Sequence, residues 1–177
     1  MKRSIRHIEN EIVHQIFFCE LCFEICSSIE IIPGRGSDFL PYYYNLNFTK
    51  GLISLHSLLL SKEKNELSIR NFIREYKAIN PHEDLTDFED EIISISNKFK
   101  ESFPMPLRHK IAAHIDESFQ HTDFTSAYIM PTLREKYLEI AIELKKAFFA
   151  FCNYAIDDKP FDKIKEQSDK ILKDVKD

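Results

Sequence analysis

The sequence predicts an all-α fold, an up-and-down bundle of about six to seven helices with one short helix inserted between two long ones. Over long stretches, apolar residues recur every three or four positions, which is the spacing of one buried helical face. Glycine is scarce, with 3 in 177 residues, and no alternating apolar and polar pattern reaches the length of a useful strand. These observations together exclude a turn-rich β fold.

The first three helices are predicted from this periodicity and from the residues that end them. The first helix runs from about Lys2 to about Ser28, with an inward face of Ile5, Ile8, Ile12, Ile16, Cys19, Phe23 and Cys26. After Pro-Gly-Arg-Gly-Ser at positions 33–37, the second carries Tyr43, Leu46, Phe48, Leu52, Leu55, Leu58 and Leu59. The third turns Ile69, Phe72, Ile73 and Tyr76 inward. It ends before Asn80-Pro81, because proline disfavours helical backbone in the preceding residue.

The fourth and fifth predicted helices are shorter or more polar than the first three, whereas the sixth has a long apolar face. The fourth begins near Thr86, which has the spacing of a capping box with Glu89, and carries Phe88, Ile92, Ile95, Phe99 and Phe103. A short fifth helix spans roughly positions 107–115. The sixth opens at Pro131 and carries Leu133, Tyr137, Ile140, Leu144, Phe148 and Phe151. We therefore expect a bundle over residues 1–157 and a charged helix or tail over residues 158–177.

Length and charge balance limit the class of protein. A chain of 177 residues is near the usual size of one domain, about 100–200 residues. The net charge of −5, from 24 basic and 29 acidic residues, excludes coating of nucleic acid by overall positive charge but leaves room for local basic patches. The basic start is not followed by an apolar signal segment, and no apolar run has the length of a membrane helix. We expect a cytoplasmic protein that does not bind membranes.

Three cysteines, Cys19, Cys22 and Cys26, lie within eight residues. A zinc site would need a fourth ligand, for which His14 is the nearest candidate, and a continuous helix does not readily wrap around a tetrahedral ion. Free cysteine is among the most buried residue types, and Cys19 and Cys26 share a helical face with Phe23. The core interpretation is favoured, and we expect neither a metal nor a cofactor.

A basic stripe lies beside the apolar stripe of the third helix. Arg70, Arg74 and Lys77 recur at i, i+4 and i+7, with Lys62 and Lys64 just upstream. Such a stripe could hold phosphates. Because Glu63, Glu66 and Glu75 interrupt it, an ordinary solvated face is the favoured alternative.

The stretch most informative about function is Leu107–Asp116, which reads LRHKIAAHID. Cleavage of RNA by its own 2′-hydroxyl needs a group that moves a proton near neutral pH, for which histidine is suited. It also needs charge neutralisation at the phosphorus, for which a guanidinium is suited. Arg108 and His114 meet both needs without a metal. Against this, Leu107, Ile111 and His114 share one helical face, so His114 could be a core histidine with a hydrogen-bond partner.

On these residues the chain resembles the HEPN superfamily (higher eukaryotes and prokaryotes nucleotide-binding), and in particular the HEPN-like proteins of bacterial abortive-infection systems. That family is marked by an arginine followed four to six residues later by a histidine, commonly with a polar residue after the arginine. Arg108-His109-x-x-x-x-His114 matches this pattern. The rest of the stretch 107–116 and the aromatic, leucine-rich segment 42–60 are also similar. The likeness covers roughly residues 5 to 155.

The resemblance implies a bundle that dimerises so that two motifs face one cleft, and metal-independent cleavage of RNA to 2′,3′-cyclic phosphate ends. Arg108 would bind the scissile phosphate, His114 would assist proton transfer and His109 would support them. Lys110, Arg70, Arg74 and Lys77 would contact the RNA.

We thus expect an endoribonuclease of a bacterial defence or toxin–antitoxin system, with a cognate antitoxin or defence protein as partner. The alternative is a non-catalytic helical dimer that binds nucleotide or protein as a regulator or scaffold.

Overall fold

The computed structural model describes residues 4–29, 39–63, 66–102 and 131–154, together with residues 166 and 170. Within these ranges it contains five helices and no strand: α1 (Ile5–Ser28), α2 (Phe39–Leu60), α3 (Ile69–Ile79), α4 (Thr86–Ser102) and α5 (Pro131–Cys152). The predicted all-α, bundle-like architecture is confirmed. The predicted short helix at 107–115, residue Phe103 and the proposed boundary at 157–158 lie outside the described residues.

The helix ends follow from local hydrogen bonds. The Ser4 hydroxyl caps α1 by accepting from the His7 amide at 3.3 Å, and Ser68 caps α3 by accepting from the Asn71 amide at 3.3 Å. Such caps satisfy amides that the first helical turn leaves without partners. The boundaries therefore agree closely with those predicted from the sequence.

The predicted capping box at the start of α4 is wrong. The Thr86 hydroxyl does not accept from Glu89 but donates to the Asp84 carboxylate at 2.6 Å, and the Thr86 amide donates to the same oxygen at 3.0 Å. The Glu89 amide donates to the Leu85 carbonyl at 2.8 Å. The two hydrogen bonds from Thr86 lower the pKa of Asp84 below its usual value. An aspartate two residues earlier thus does the capping, because an ionised carboxylate is the stronger acceptor.

Aromatic rings fill the centre of the bundle. Phe23 of α1 lies 5.9 Å, centroid to centroid, from Phe48 of α2 and from Tyr137 of α5. At the other end, Phe88 of α4 stacks on Phe151 of α5 at 4.2 Å. Gly51 permits close approach of α1 and α2, since a Cβ there would lie 2.8 Å from Cζ of Phe23. The core therefore depends on ring shape as well as on apolar area.

Helix packing is led by α1, which contacts α2 and α5 along its length, while α4 packs against α5. α3 packs against α1 and α2, and its Phe72 ring lies 5.1 Å from the Phe148 ring of α5. Most predicted inward residues are buried, but Leu46 is 38% exposed, and the neighbouring Tyr44 is buried instead. The prediction failed here because α2 is apolar on several sides, so that its periodicity admits more than one face. Among the described residues, no helix combines the length and apolarity needed to cross a bilayer.

Candidate functional site

A groove of about 710 Å³ opens where the end of α2 meets one face of α3 and one face of α4. Its aliphatic lining residues, together called the floor here, are Leu58, Leu59, Leu60, Ile73, Ile92 and Ile93. Five cationic side chains also line it, Lys62, Arg70, Arg74, Lys77 and Lys100, beside a single carboxylate, Glu89. The groove thus combines an apolar floor with a positively charged wall.

The α3 wall follows from the periodicity of that helix. Ile69, Phe72 and Ile73 are buried against the bundle, which leaves the positions of the basic stripe on the outer face. Arg70, Arg74 and Lys77 are all exposed. The structure therefore brings the three predicted RNA-binding residues of α3 to one groove.

Asn71 fixes the connection between α2 and α3. Its side-chain amide donates to the carbonyls of Glu63 and Glu66, both at 2.7 Å, and the Ser57 hydroxyl of α2 donates to the Leu67 carbonyl at 3.1 Å. These bonds hold the loop that begins at Ser61, so Lys62 stays at the end of the groove.

The cations differ in how far neighbouring charges neutralise them. Lys77 pairs with Glu89 at 2.7 Å and Arg74 with Glu75 at 3.2 Å. Lys100 donates to the Asn97 amide oxygen at 3.3 Å, which leaves its charge uncompensated there. Arg70 has no ionic partner in the part of the chain that the structure describes. The Arg70 and Lys100 side chains are therefore the best placed to bind an added anion.

The charge of the groove is opposite to that of the chain. Five of the 24 basic residues and one of the 29 acidic residues line it, giving +4 in a chain of net charge −5. Solvated faces more often mix both signs. None of the glutamates that favoured the solvated-face interpretation is itself a lining residue, but Glu75 pairs with the lining Arg74, and the Glu66 carboxylate accepts from the hydroxyl of the lining Ser61.

Sequence reasoning missed Lys100 and the aliphatic floor. Ile93, Asn97 and Lys100 recur at i, i+4 and i+7 on α4, the same spacing as the cations of α3. In the sequence, this spacing is masked by the stronger apolar stripe of the same helix. Ile93 is 56% exposed at the surface of the groove.

The residues of the predicted catalytic motif, Arg108, His109, Lys110 and His114, lie outside the described residues, as does Lys64. The chain that leads to the motif leaves α4 after Ser102, two residues beyond Lys100.

The three clustered cysteines lie in the core, as predicted. Cys19, Cys22 and Cys26 are 0–2% exposed. Burial raises the pKa of Cys22 to about 11 and raises the pKa values of Cys19 and Cys26 well above the usual range. Neutral thiols of this kind behave as small apolar side chains. Within the described ranges, no group of three or more potential ligands is arranged to hold a metal ion, and His14 is exposed on the outer face of α1.

Comparisons with protein-family models, with curated proteins and with solved structures found no match for this chain. The fold class therefore rests on the helices themselves, and function has to be argued from the groove and the sequence motif.

Proposed function

We propose that this protein is a metal-independent endoribonuclease of a bacterial defence or toxin–antitoxin system, as the resemblance of Arg108-His109-x-x-x-x-His114 to the HEPN motif implies. The observation that supports RNA as substrate is the groove: its +4 charge in a chain of net charge −5 suits a polyanion. RNA held there would be cleaved by the motif, which follows α4 in the chain.

The chemistry needs one histidine and one arginine. His114 takes the proton from the 2′-hydroxyl, whose oxygen forms a bond to the adjacent phosphorus while the bond from phosphorus to the 5′-oxygen breaks, and the resulting imidazolium returns the proton to that departing 5′-oxygen. The product ends are a 2′,3′-cyclic phosphate and a 5′-hydroxyl. The Arg108 guanidinium neutralises the charge that accumulates on the phosphoryl oxygens in the transition state.

Chain length connects the groove to the motif. Arg108 is the sixth residue after Ser102, at the end of α4. A chain of six residues spans at most about 20 Å. RNA bound along α4 near Lys100 is therefore within a few nucleotides of the region that Arg108 can reach.

The test is incubation of purified protein with mixed RNAs in EDTA, comparing wild type with Arg108→Ala, His114→Ala and the double variant. We expect cleavage by the wild type and a loss of roughly 10²-fold or more in each single variant. The double variant should be little worse than either single one, because residues that act on one transition state are not additive. His82→Ala, an exposed histidine in the turn between α3 and α4, is the matched control and should retain activity.

Two results would contradict the proposal. Cleavage abolished by EDTA and restored by magnesium or manganese would show metal-dependent chemistry. An inactive wild type, with a lowered melting temperature for His114→Ala, would identify a structural histidine and favour the non-catalytic regulator or scaffold.

A further inference from the structure

We infer that the groove between α2, α3 and α4 binds unpaired, single-stranded RNA, with phosphates along the cationic wall and bases against the aliphatic floor; this inference rests on the proposed function. It assigns binding roles to Lys62, Lys100 and Ile93 in addition to the cations of α3.

The three cations of α3 are spread along the helix rather than gathered at one position. With a rise of about 1.5 Å per residue, Arg70, Arg74 and Lys77 extend over about 10 Å of the α3 axis. The Ser96 hydroxyl of α4 donates to the Leu59 carbonyl of α2 at 3.5 Å, and the Asn71 side chain of α3 donates to the Glu63 carbonyl just beyond α2 at 2.7 Å. Arg70, next to Asn71, and Lys100, one turn beyond Ser96, therefore both lie toward the end of α2, away from the pair between Lys77 and Glu89. A row of this length fits successive phosphates of one strand better than a single phosphate group.

The cations at the two ends of the groove differ in how far neighbouring carboxylates neutralise them, and this difference determines where an RNA strand would bind most strongly. At the Lys77 end, Glu89 already neutralises the cation at 2.7 Å. Toward the other end, Arg70, Lys100 and Lys62 line the groove, and the Glu66 carboxylate near them is bound to the Ser61 hydroxyl rather than to a cation. The strongest phosphate contacts are therefore expected at that end, which is also where the chain continues toward the motif.

The floor discriminates between classes of polyanion. Ile93 is 56% exposed, and Leu59 and Leu60 are only half-buried, so the groove offers apolar surface that a ligand can cover. A duplex presents phosphates and groove edges, with its base faces stacked inside, whereas a single strand can turn its base faces outward. An acidic peptide could match the charge, but its glutamate side chains bring no flat apolar surface. A single strand can match both sets of lining residues, with its phosphates on the cations and its bases on the aliphatic residues.

The experiment measures binding separately from cleavage. Fluorescence anisotropy is recorded in EDTA with a labelled 2′-O-methyl RNA single strand, which lacks the 2′-hydroxyl nucleophile, and with a blunt duplex of the same length and chemistry. Polyglutamate is added as a competitor. We expect the single strand to bind at least several-fold more tightly than the duplex, and polyglutamate to compete poorly.

Two variants and a matched control locate the site. Arg70→Gln combined with Lys100→Gln should weaken single-strand binding roughly tenfold or more and reduce the salt slope by about 1.4, since each phosphate contact contributes about 0.7. Ile93→Ser should weaken binding several-fold with the salt slope unchanged. Lys136→Gln combined with Lys146→Gln removes the same charge from exposed positions of α5 outside the groove and should change affinity less than twofold.

The inference is overturned if the duplex binds as tightly as the single strand, if polyglutamate competes as well as RNA, or if the α5 double variant weakens binding as much as the groove variant. Its failure is distinguishable from failure of the proposed function. Tight, groove-dependent binding without cleavage of ordinary RNA would refute the ribonuclease alone, whereas cleavage that is insensitive to the groove variants would refute the groove alone.

Discussion

Tyr44 and Tyr137 are almost completely shielded from solvent, at 1% and 0% exposure. Burial raises the pKa of each phenol from its usual value near 10 to about 12. The Tyr137 hydroxyl donates to the Ser102 carbonyl at 2.6 Å and so links the start of α5 to the end of α4. The Tyr44 hydroxyl is buried with no hydrogen-bond partner among the described residues.

Because burial raises the pKa values of these two phenols, we predict that the folded protein loses stability at alkaline pH. A folded-state pKa above the unfolded value gives a contribution that is fully present below about pH 10 and is lost as the pH rises through about 12. Each tyrosine should account for up to about 2–3 kcal/mol over that interval. The buried thiols act in the same direction from a lower pH, because burial raises their pKa values too.

The variant Tyr44→Phe separates this effect from packing. Removing a buried hydroxyl that has no partner should leave the melting temperature at pH 8 equal or slightly higher. The decline in melting temperature between pH 10 and pH 12 should become shallower. A melting temperature at pH 8 that falls by several degrees would instead show that the hydroxyl makes a stabilising contact.

At the scale of helices, α1 and α5 are joined by an ion pair in the core. The Lys145 ammonium lies 2.7 Å from the Glu20 carboxylate, with side-chain exposures of 5% and 9%. The ammonium also lies 6.0 Å from the centre of the Phe17 ring. Such a pair fixes which faces of two helices meet, but its desolvation cost offsets much of its attraction.

Removing one partner of this ion pair should lower the free energy of unfolding far more than replacing both partners with apolar residues. Lys145→Met should lower the free energy of unfolding by about 3–5 kcal/mol, because it leaves the Glu20 carboxylate in the core without its partner ammonium. Adding Glu20→Leu to that variant should recover most of the loss. Urea denaturation measures both changes.

An exposed pair between α4 and α5 supplies the control. Lys98 lies 2.8 Å from Glu143, with side-chain exposures of 51% and 42%. Lys98→Met should therefore cost less than about 1 kcal/mol. A similar loss for Lys98→Met and Lys145→Met would mean that burial does not determine the strength of these pairs.

The helices themselves were predictable from sequence, while their contacts were not. Periodicity placed the faces of α1, α3, α4 and α5 because each has one dominant apolar stripe. It failed at Leu46, since α2 is apolar on several sides. It also gave no sign that Lys145 would be buried, because that depends on Glu20, which lies 125 residues away in sequence.

The groove illustrates the same limit at the candidate site. The three cations of α3 were predicted from one helix, but Lys62 and Lys100 join them only through the packing of α2 and α4. Local spacing can reveal a row of charges on one element. The sign of the net charge on a groove depends on which charged residues from different helices the tertiary structure brings together.

At the scale of the whole molecule, α2 points to self-association. Lys50 is its one charged residue in 22, yet Tyr42 is 62% exposed and Leu46 is 38% exposed. Large apolar side chains that stay exposed on a helix with a single charged residue favour burial against a partner. Two-fold pairing of identical surfaces is the commonest arrangement of soluble oligomers, and the resemblance to the HEPN superfamily implies a dimer as well.

We therefore predict a homodimer whose interface includes the outward face of α2. Light scattering at tens of micromolar should give about 42 kDa, twice the chain mass of 20.9 kDa. Leu46→Glu should shift the mass toward that of the monomer, because it places a carboxylate in an apolar contact. Ile79→Glu, at a 58% exposed position near the end of α3, should leave the dimer intact. A monomeric wild type at this concentration would contradict the shared cleft, and a dimer unaffected by Leu46→Glu would place the interface elsewhere.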